Sequence, residues 1–393
     1  MAERLRVAVV GATGSVGSSF LEVCRSFRDR IEVLGLAAAS SVHKLASLVE
    51  EFSPEYAVVW TGESAEELKA ILKGKRIQRV PEVMVGMEGL MELARSDQVD
   101  HLSICSSGVV GMFPMWEALT RGKVVSLANK ESLMLSGHLM ERTELAQKLI
   151  PLDSEHSALW QCVRGEVSKP VGLLLTASGG PFWRLSSEEL RSVRAEDALK
   201  HPVWSMGAKI TVDSATLMNK GFEVIEASYL FDVPMKSIEV LVHPEALVHG
   251  IVSFSDGSWK AVLFKPDMRV PAAVALGLPH RLEVPDLHMG WNALGKGLSF
   301  YEPDLARFPC LQLAREAGEG GAHLICGLVA ADEVAVDLFL RGAIGFTGIP
   351  ELVGRTLERV PSVRLRSLEE VMSHYETCRA LAREVGLSIV GGG

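Results

Sequence analysis

The 393-residue chain has no Cys-x-x-Cys pair, no cluster of basic residues, no long apolar run, and no low-complexity segment or internal repeat. Its six cysteines are scattered, which excludes a zinc knuckle or a disulfide framework and fits a reducing compartment. The formal net charge is -9 and no stretch concentrates positive charge, so nucleic acid is not an expected partner. No stretch without a charged side chain or histidine is longer than that from Leu102 to Trp116. That stretch falls short of the ~20 apolar residues of a spanning helix and is broken by glycines and a proline, so no membrane span is expected. Met1 to Arg4 lead directly into an apolar strand with no signal-peptide core or cleavage site, and a cytoplasmic protein is the expectation.

The chain is too long for a single core and implies two or three domains. Leu5 to Val10 reads as a buried parallel strand, and Gly11-Ala-Thr13-Gly14-Ser15-Val16-Gly17 as the turn into a helix reaching Arg28. Strand-like runs recur at Val33 to Ala38, Tyr56 to Trp60, His101 to Cys105 and Val124 to Ala128, with helical segments between them. This is the pattern of a Rossmann-like, doubly wound parallel sheet. Its glycine turn brings the backbone close to a pyrophosphate at a helix N-terminus, which makes Thr13, Gly14, Ser15 and Val16 cofactor-binding candidates. The second strand runs into Ala39-Ser40-Ser41, where an NAD-specific protein carries an acid for the ribose hydroxyls. With no acid to repel a 2'-phosphate, NADPH is expected over NADH, with Ser40 and Ser41 at the ribose. His43 and Lys44 offer cations nearby, although a surface helix start accounts for them equally well. Asn129, Lys130 and Glu131 follow a later strand, at the carboxyl edge where the nicotinamide half should lie; the same three residues also read as a polar helix start.

The alternation of strand and helix stops near Ile150-Pro151. Beyond it, Leu152-Asp153-Ser154-Glu155 puts two carboxylates two residues apart, which on an extended segment point the same way. The apolar run ending in Ala177-Ser178-Gly-Gly-Pro181 closes in a small-residue turn suited to holding an anion. Lys209 to Val212 reads as a short strand, with Asp213 or Ser214 capping a helix from Ala215 whose free amides, with Ser214 and Lys220, favour phosphate. Asn219, Lys220 and Glu223 share one side of that helix, and a carboxylate beside a phosphate site points to a metal. Glu226 lies three residues further on the same face, so spacing alone does not choose between the two glutamates. As an isolated stretch this also reads as an ordinary capped helix with a solvated Lys220 and Glu223 pair. The expected fold class is α/β: an N-terminal Rossmann-like doubly wound domain (1–150), an α+β catalytic domain (151–285), a linker (286–310) and a C-terminal helical bundle (311–393).

Several motifs in this order carry a family resemblance: the glycine turn, Ala128-Asn-Lys-Glu131, Asp153-Ser-Glu155, Ala177-Ser-Gly-Gly-Pro181, His201-Pro-Val-Trp204, Asp213-Ser-Ala-Thr, Asn219-Lys-Gly and Pro266-Asp-Met268. Together they resemble the 1-deoxy-D-xylulose 5-phosphate reductoisomerases. The resemblance implies rearrangement of the carbon skeleton of that substrate to an aldehyde, then hydride transfer from NADPH, yielding 2-C-methyl-D-erythritol 4-phosphate for non-mevalonate isoprenoid synthesis. It implies a divalent cation (Mn2+, Mg2+ or Co2+) on Asp153, Glu155 and Glu223, acting as a Lewis acid. It further implies that Lys130, Ser154 and His201 handle substrate oxygens or protons and that Ser178, Ser214, Asn219 and Lys220 bind the phosphate. Leu199 to Gly207 is expected to be a lid that lays Trp204 on the substrate, with Gly207 near the cofactor; the alternative for Trp204 is a core anchor. The family usually has a basic residue where Ser40 and Ser41 stand. A homodimer is also implied. The competing readings are a related Rossmann oxidoreductase acting on another phosphorylated sugar or an aspartyl-type substrate, and a nucleotide-binding sensor without activity.

Overall fold

The computed structural model describes residues 4–391 apart from 76, 78, 141–147, 201, 202 and 205. The chain forms two compact units: the first comprises Met1–Leu133, Glu141–Ser157 and Asp267–Leu287, and the second Met134–Met140, Ala158–Pro266 and His288–Gly393.

The first unit is built on seven strands: β1 (Leu5–Val10), β2 (Ile31–Ala37), β3 (Tyr56–Val59), β4 (Glu82–Val85), β5 (His101–Ile104), β6 (Val124–Leu127) and β7 (Leu149–Pro151). They are ordered β4-β3-β2-β1-β5-β6-β7, and every pairing is parallel. Val7, Ala8, Val9 and Val10 in β1 are all buried, as expected of a strand covered on both faces, which reads as an unbroken apolar run. The order reverses between β1 and β5, and such a switch point opens a crevice at the carboxyl ends of the strands where nucleotides bind. Two strands were not anticipated. β4 is a short edge strand and β7 continues the sheet through Ile150 and Pro151, where the alternation was expected to stop.

The second unit holds a four-stranded sheet, β11-β10-β8-β9, from β8 (Gly172–Ala177), β9 (Ile238–Val242), β10 (Val248–Ser253) and β11 (Trp259–Leu263). β8 pairs parallel with β9 and antiparallel with β10. The helix Met218–Phe231 packs on β8 and β9, and the helix Cys310–Gly320 packs against it in turn. Gly221 permits that close approach, because a Cβ there would come within 2.4 Å of the Ala314 methyl. The helices Ala322–Leu340, Gly348–Leu357 and Leu368–Gly391 complete a helical cluster, as their apolar spacing predicts.

Two local expectations are corrected. Lys209 to Val212 is not a strand but part of the helix Ala208–Thr216. Its Ile-Thr-Val run favours a strand, yet Thr211, Val212, Ala215 and Thr216 are buried along one face, and Lys209 bonds Asp213 four residues on. Asp213 and Ser214 are therefore inside a helix and do not cap one. The break comes at Leu217, in the left-handed region at φ 62°, from which the helix Met218–Phe231 departs. Likewise Ser154 and Glu155 are not on an extended segment: they open the helix Ser154–Val163.

Candidate active site

In the first unit the glycine turn forms the cradle that a dinucleotide needs. The Gly11 and Ala12 amides both donate to the Ala37 carbonyl at 2.9 Å, which ties the turn to the end of β2. Gly11 has φ +82°, and a Cβ there would lie 2.5 Å from the Ser106 amide nitrogen; one on Gly17 would lie 2.3 Å from the Gly11 carbonyl oxygen. Only glycine fits either position. Gly14 and Ser15 are exposed, Thr13 and Val16 are half-buried, and the helix Ser15–Ser26 has no side-chain cap on its N-terminus. Its first amides are thus suited to a pyrophosphate, and the residues fit the group. Ser40 and Ser41 are exposed where β2 gives way to the helix Val42–Phe52.

Asn129 does more for the scaffold than expected. Its amide donates to the carbonyls of Ser106 (2.8 Å) and Gly108 (2.6 Å) and accepts from the Ser132 amide (2.7 Å). That side chain joins the loops after β5 and β6; Glu131 beside it is half-buried.

Lys130, which opens the helix Lys130–Ser136 after β6, donates to the Asp153 carboxylate just after β7. The other Asp153 oxygen accepts from the amides of Glu155 (3.1 Å) and His156 (3.2 Å), capping the helix Ser154–Val163. The Ser154 hydroxyl donates to Glu155 at 2.8 Å, and the fully buried His156 places Nδ1 3.4 Å from Asp153. His156 was not singled out from sequence. Its spacing of three from Asp153 was the available signal, hidden because the segment was read as extended.

In the second unit the turn after β8 carries Ser178, whose Oγ accepts from the Gly180 amide at 3.4 Å. A Cβ on Gly180 would lie 3.0 Å from the Ser214 carbonyl oxygen, so this glycine turn rests directly on the end of the helix Ala208–Thr216 that carries Ser214. One turn beyond the Leu217 break, the fully buried Glu223 carboxylate takes the amide of Asn219 at 2.5 Å and the buried Lys220 ammonium. Glu226 is buried a turn further on. The Lys209 ammonium bridges Asp213 (2.7 Å) and Asp332 (2.6 Å) and lies over the Phe222 ring, fastening this helix to Ala322–Leu340. Asp332 carried no readable chemistry, because its partner is 123 residues away.

Trp204 is half-buried with its ring 6.3 Å from His249, which stacks on Phe264 at 3.9 Å. Gly207 is exposed just ahead of the helix Ala208–Thr216. His201, with Pro202 and Ser205 of the expected lid, lies outside the described residues. His243 is occupied structurally: Nδ1 meets the Ser299 carbonyl at 2.8 Å, and Nε2 accepts from the amides of Leu247 and Val248.

Comparison with known proteins covers nearly the whole chain. Residues 7–137 match the family described as 1-deoxy-D-xylulose 5-phosphate reductoisomerase, residues 149–231 its C-terminal domain, and residues 263–381 a DXP reductoisomerase C-terminal domain. The 1-deoxy-D-xylulose 5-phosphate reductoisomerase of Thermodesulfovibrio yellowstonii is 42% identical over 386 residues, covering 97% of this chain and 99% of the relative. That of Chlorobium chlorochromatii is 44% identical over 380 residues, covering 96% and 98%. Among solved structures, DOX-P reductoisomerase in complex with NADPH, fosmidomycin and magnesium superposes with a TM-score of 0.92 at 34% identity, covering 98% of this chain and 99% of that one. The Zymomonas mobilis enzyme in complex with NADPH gives 0.89 at 36% identity, with the same coverage.

Proposed function

This chain belongs to the 1-deoxy-D-xylulose 5-phosphate reductoisomerase family, and we propose that it rearranges 1-deoxy-D-xylulose 5-phosphate and reduces the product with NADPH to 2-C-methyl-D-erythritol 4-phosphate. The observation that carries the reading lies within the first unit. Lys130, Asp153 and Glu155 stand together after β6 and β7, on the same carboxyl edge of the sheet as the glycine cradle. Acid, base and hydride-donor site on one edge suit a reaction that both moves protons and reduces a carbonyl.

Asp153, Glu155 and Glu223 supply oxygen donors that suit Mg2+, Mn2+ or Co2+. When bound, such a cation supplies Lewis-acid polarisation of neighbouring carbonyl and hydroxyl oxygens. Lys130 and Ser154 orient the substrate oxygens, His201 serves as a proton shuttle, and Trp204 covers the substrate and excludes water. Ser178, in the turn whose Gly180 rests on the Ser214 backbone, and Ser214 bind the substrate phosphate together with Asn219 and Lys220. Fixing the phosphate positions the reacting carbons some distance away. Thr13, Gly14, Ser15, Val16, Ser40, Ser41, Asn129, Glu131 and Gly207 form the cofactor side. We place the enzyme in the cytoplasm as a homodimer: the edge strand β11 leaves Trp259 72% exposed, and Trp291 is 89% exposed, apolar surface that a second copy would cover.

The test is oxidation of NADPH in the presence of the deoxyxylulose phosphate and Mn2+, with and without EDTA. Substrate-dependent oxidation that EDTA abolishes is expected. Absence of oxidation with every divalent cation, or full activity in EDTA, overturns the proposal.

A further inference from the structure

We propose that Lys44 reads the 2'-phosphate of the dinucleotide, a task for which the ribose loop itself offers no cation. This rests on the NADPH reading above and deepens it to a residue. The loop from Ala38 to Ser41 presents only small side chains and two exposed hydroxyls. Hydroxyls and amides donate to a phosphate but do not compensate its charge, and a charge-assisted bond is about twice as strong as a neutral one.

Two cations follow the loop, and the structure separates them. His43 is directed to the neighbouring helix Gly62–Lys73, where Nε2 lies 3.5 Å from the Glu67 carboxylate. Lys44, in the first turn of the helix Val42–Phe52, reaches back to the glycine turn after β1. There its ammonium donates to the Thr13 carbonyl at 2.6 Å and to the Ser18 hydroxyl at 3.1 Å. Both acceptors are neutral. Among the described residues no carboxylate pairs with Lys44, whereas Lys69 and Lys75 on the same flank each meet a glutamate.

That position fits a phosphate reader. The Thr13 carbonyl belongs to the glycine turn suited to a pyrophosphate, and Lys44 springs from the helix that follows the ribose loop, so the ammonium joins the two segments that a bound dinucleotide's adenosine half would meet. An ammonium has three donors. The bonds to Thr13 and Ser18 use two and hold the side chain in place, leaving the third and the whole positive charge for a phosphate oxygen. An NADH molecule brings no phosphate to that point and gains little from the charge.

The same geometry would let Lys44 act as a strut for the glycine turn, and the experiment separates the two roles. The full chain is titrated calorimetrically with NADPH, NADH, adenosine 2',5'-bisphosphate and AMP, for the native protein, Lys44→Met and Lys44→Arg. Loss of one partly exposed charged contact is expected to weaken NADPH and the bisphosphate by roughly tenfold in Lys44→Met, with NADH and AMP changed less than about twofold. Lys44→Arg should restore most of the NADPH affinity, and the salt dependence of NADPH binding should be shallower in Lys44→Met. Equal weakening of both dinucleotides overturns the assignment in favour of a strut, and unchanged NADPH binding overturns it in favour of another group. A native chain that binds NADH as tightly as NADPH instead overturns the cofactor reading, and this assignment falls with it.

Discussion

Glu223 and Glu226 lie one turn apart on the helix Met218–Phe231 and are both buried, so burial does not choose between them. Their neighbours do. Glu223 is held by Asn219 and Lys220, two residues of the proposed phosphate site, so its carboxylate is oriented by the groups that would meet the substrate. Glu223→Gln keeps the shape and removes the charge. We expect turnover to fall at least about 100-fold, as loss of a metal ligand exceeds the 10–100-fold cost of disturbing an outer partner, with NADPH affinity nearly unchanged because the glycine cradle lies in the other unit. Glu226→Gln should alter turnover little. Turnover measured across a series of Mn2+ concentrations decides: if Glu226→Gln loses the Mn2+ dependence and Glu223→Gln keeps it, the assignment on this helix is wrong. At this scale the sequence marked Asp153, Glu155, Lys220 and Glu223 as candidates, although spacing read the first pair as extended and did not choose between Glu223 and Glu226. His156 and Asp332 were not marked. One depends on the helical turn after Asp153, and the other on an ion pair with a lysine 123 residues away.

The elements themselves divide by how much of their burial is local. β1, β2, β3, β5 and β6 are predominantly apolar, mostly buried segments bounded by turn residues, so their sequence and their environment agree. The helix Ala208–Thr216 is the opposite case. Its Ile-Thr-Val run reads as a strand, and it becomes helical because Lys209 finds Asp213 one turn on and Asp332 in the helix Ala322–Leu340. Gly221 shows the same dependence on distant packing. Glycine inside a helix costs about 1 kcal/mol relative to alanine, so on local grounds Gly221→Ala should stabilise. A Cβ there would, however, stand 2.4 Å from the Ala314 methyl and 3.5 Å from the Cys310 carbonyl oxygen, in an interface with no slack. We expect the substitution to destabilise by about 1–3 kcal/mol, the usual range for overpacking, read from urea unfolding of the variant against the native chain. Ala314→Gly should recover part of the loss in the double variant. A Gly221→Ala protein as stable as the native one would mean that these two helices sit further apart than described.

Over the whole molecule, part of the response to acid comes from histidines that folding keeps neutral. His101 on β5 is buried against Phe20, with ring centroids 6.1 Å apart, and its Nε2 meets no hydrogen-bond partner among the described residues. Burial pushes its pKa down from 6.5 to about 4. His138 and His374, in the second unit, are shifted in the same direction, chiefly by burial. Between pH 6.5 and 4 the unfolded chain therefore binds a proton at residue 101 that the folded chain refuses, and stability must rise with pH across that window. The contribution is fully present above pH 6.5 and is lost as the pH falls towards 4; from pH 7 to pH 5 the loss from His101 amounts to about 2 kcal/mol. His101→Leu keeps an apolar contact with Phe20 and cannot titrate. Urea midpoints measured every half unit from pH 7 to pH 5 should fall steeply for the native chain and more gently for this variant, with the slopes converging above pH 7. Identical slopes in the two proteins would show that residue 101 is reached by solvent or protonated in place, and that acid sensitivity arises elsewhere in the molecule.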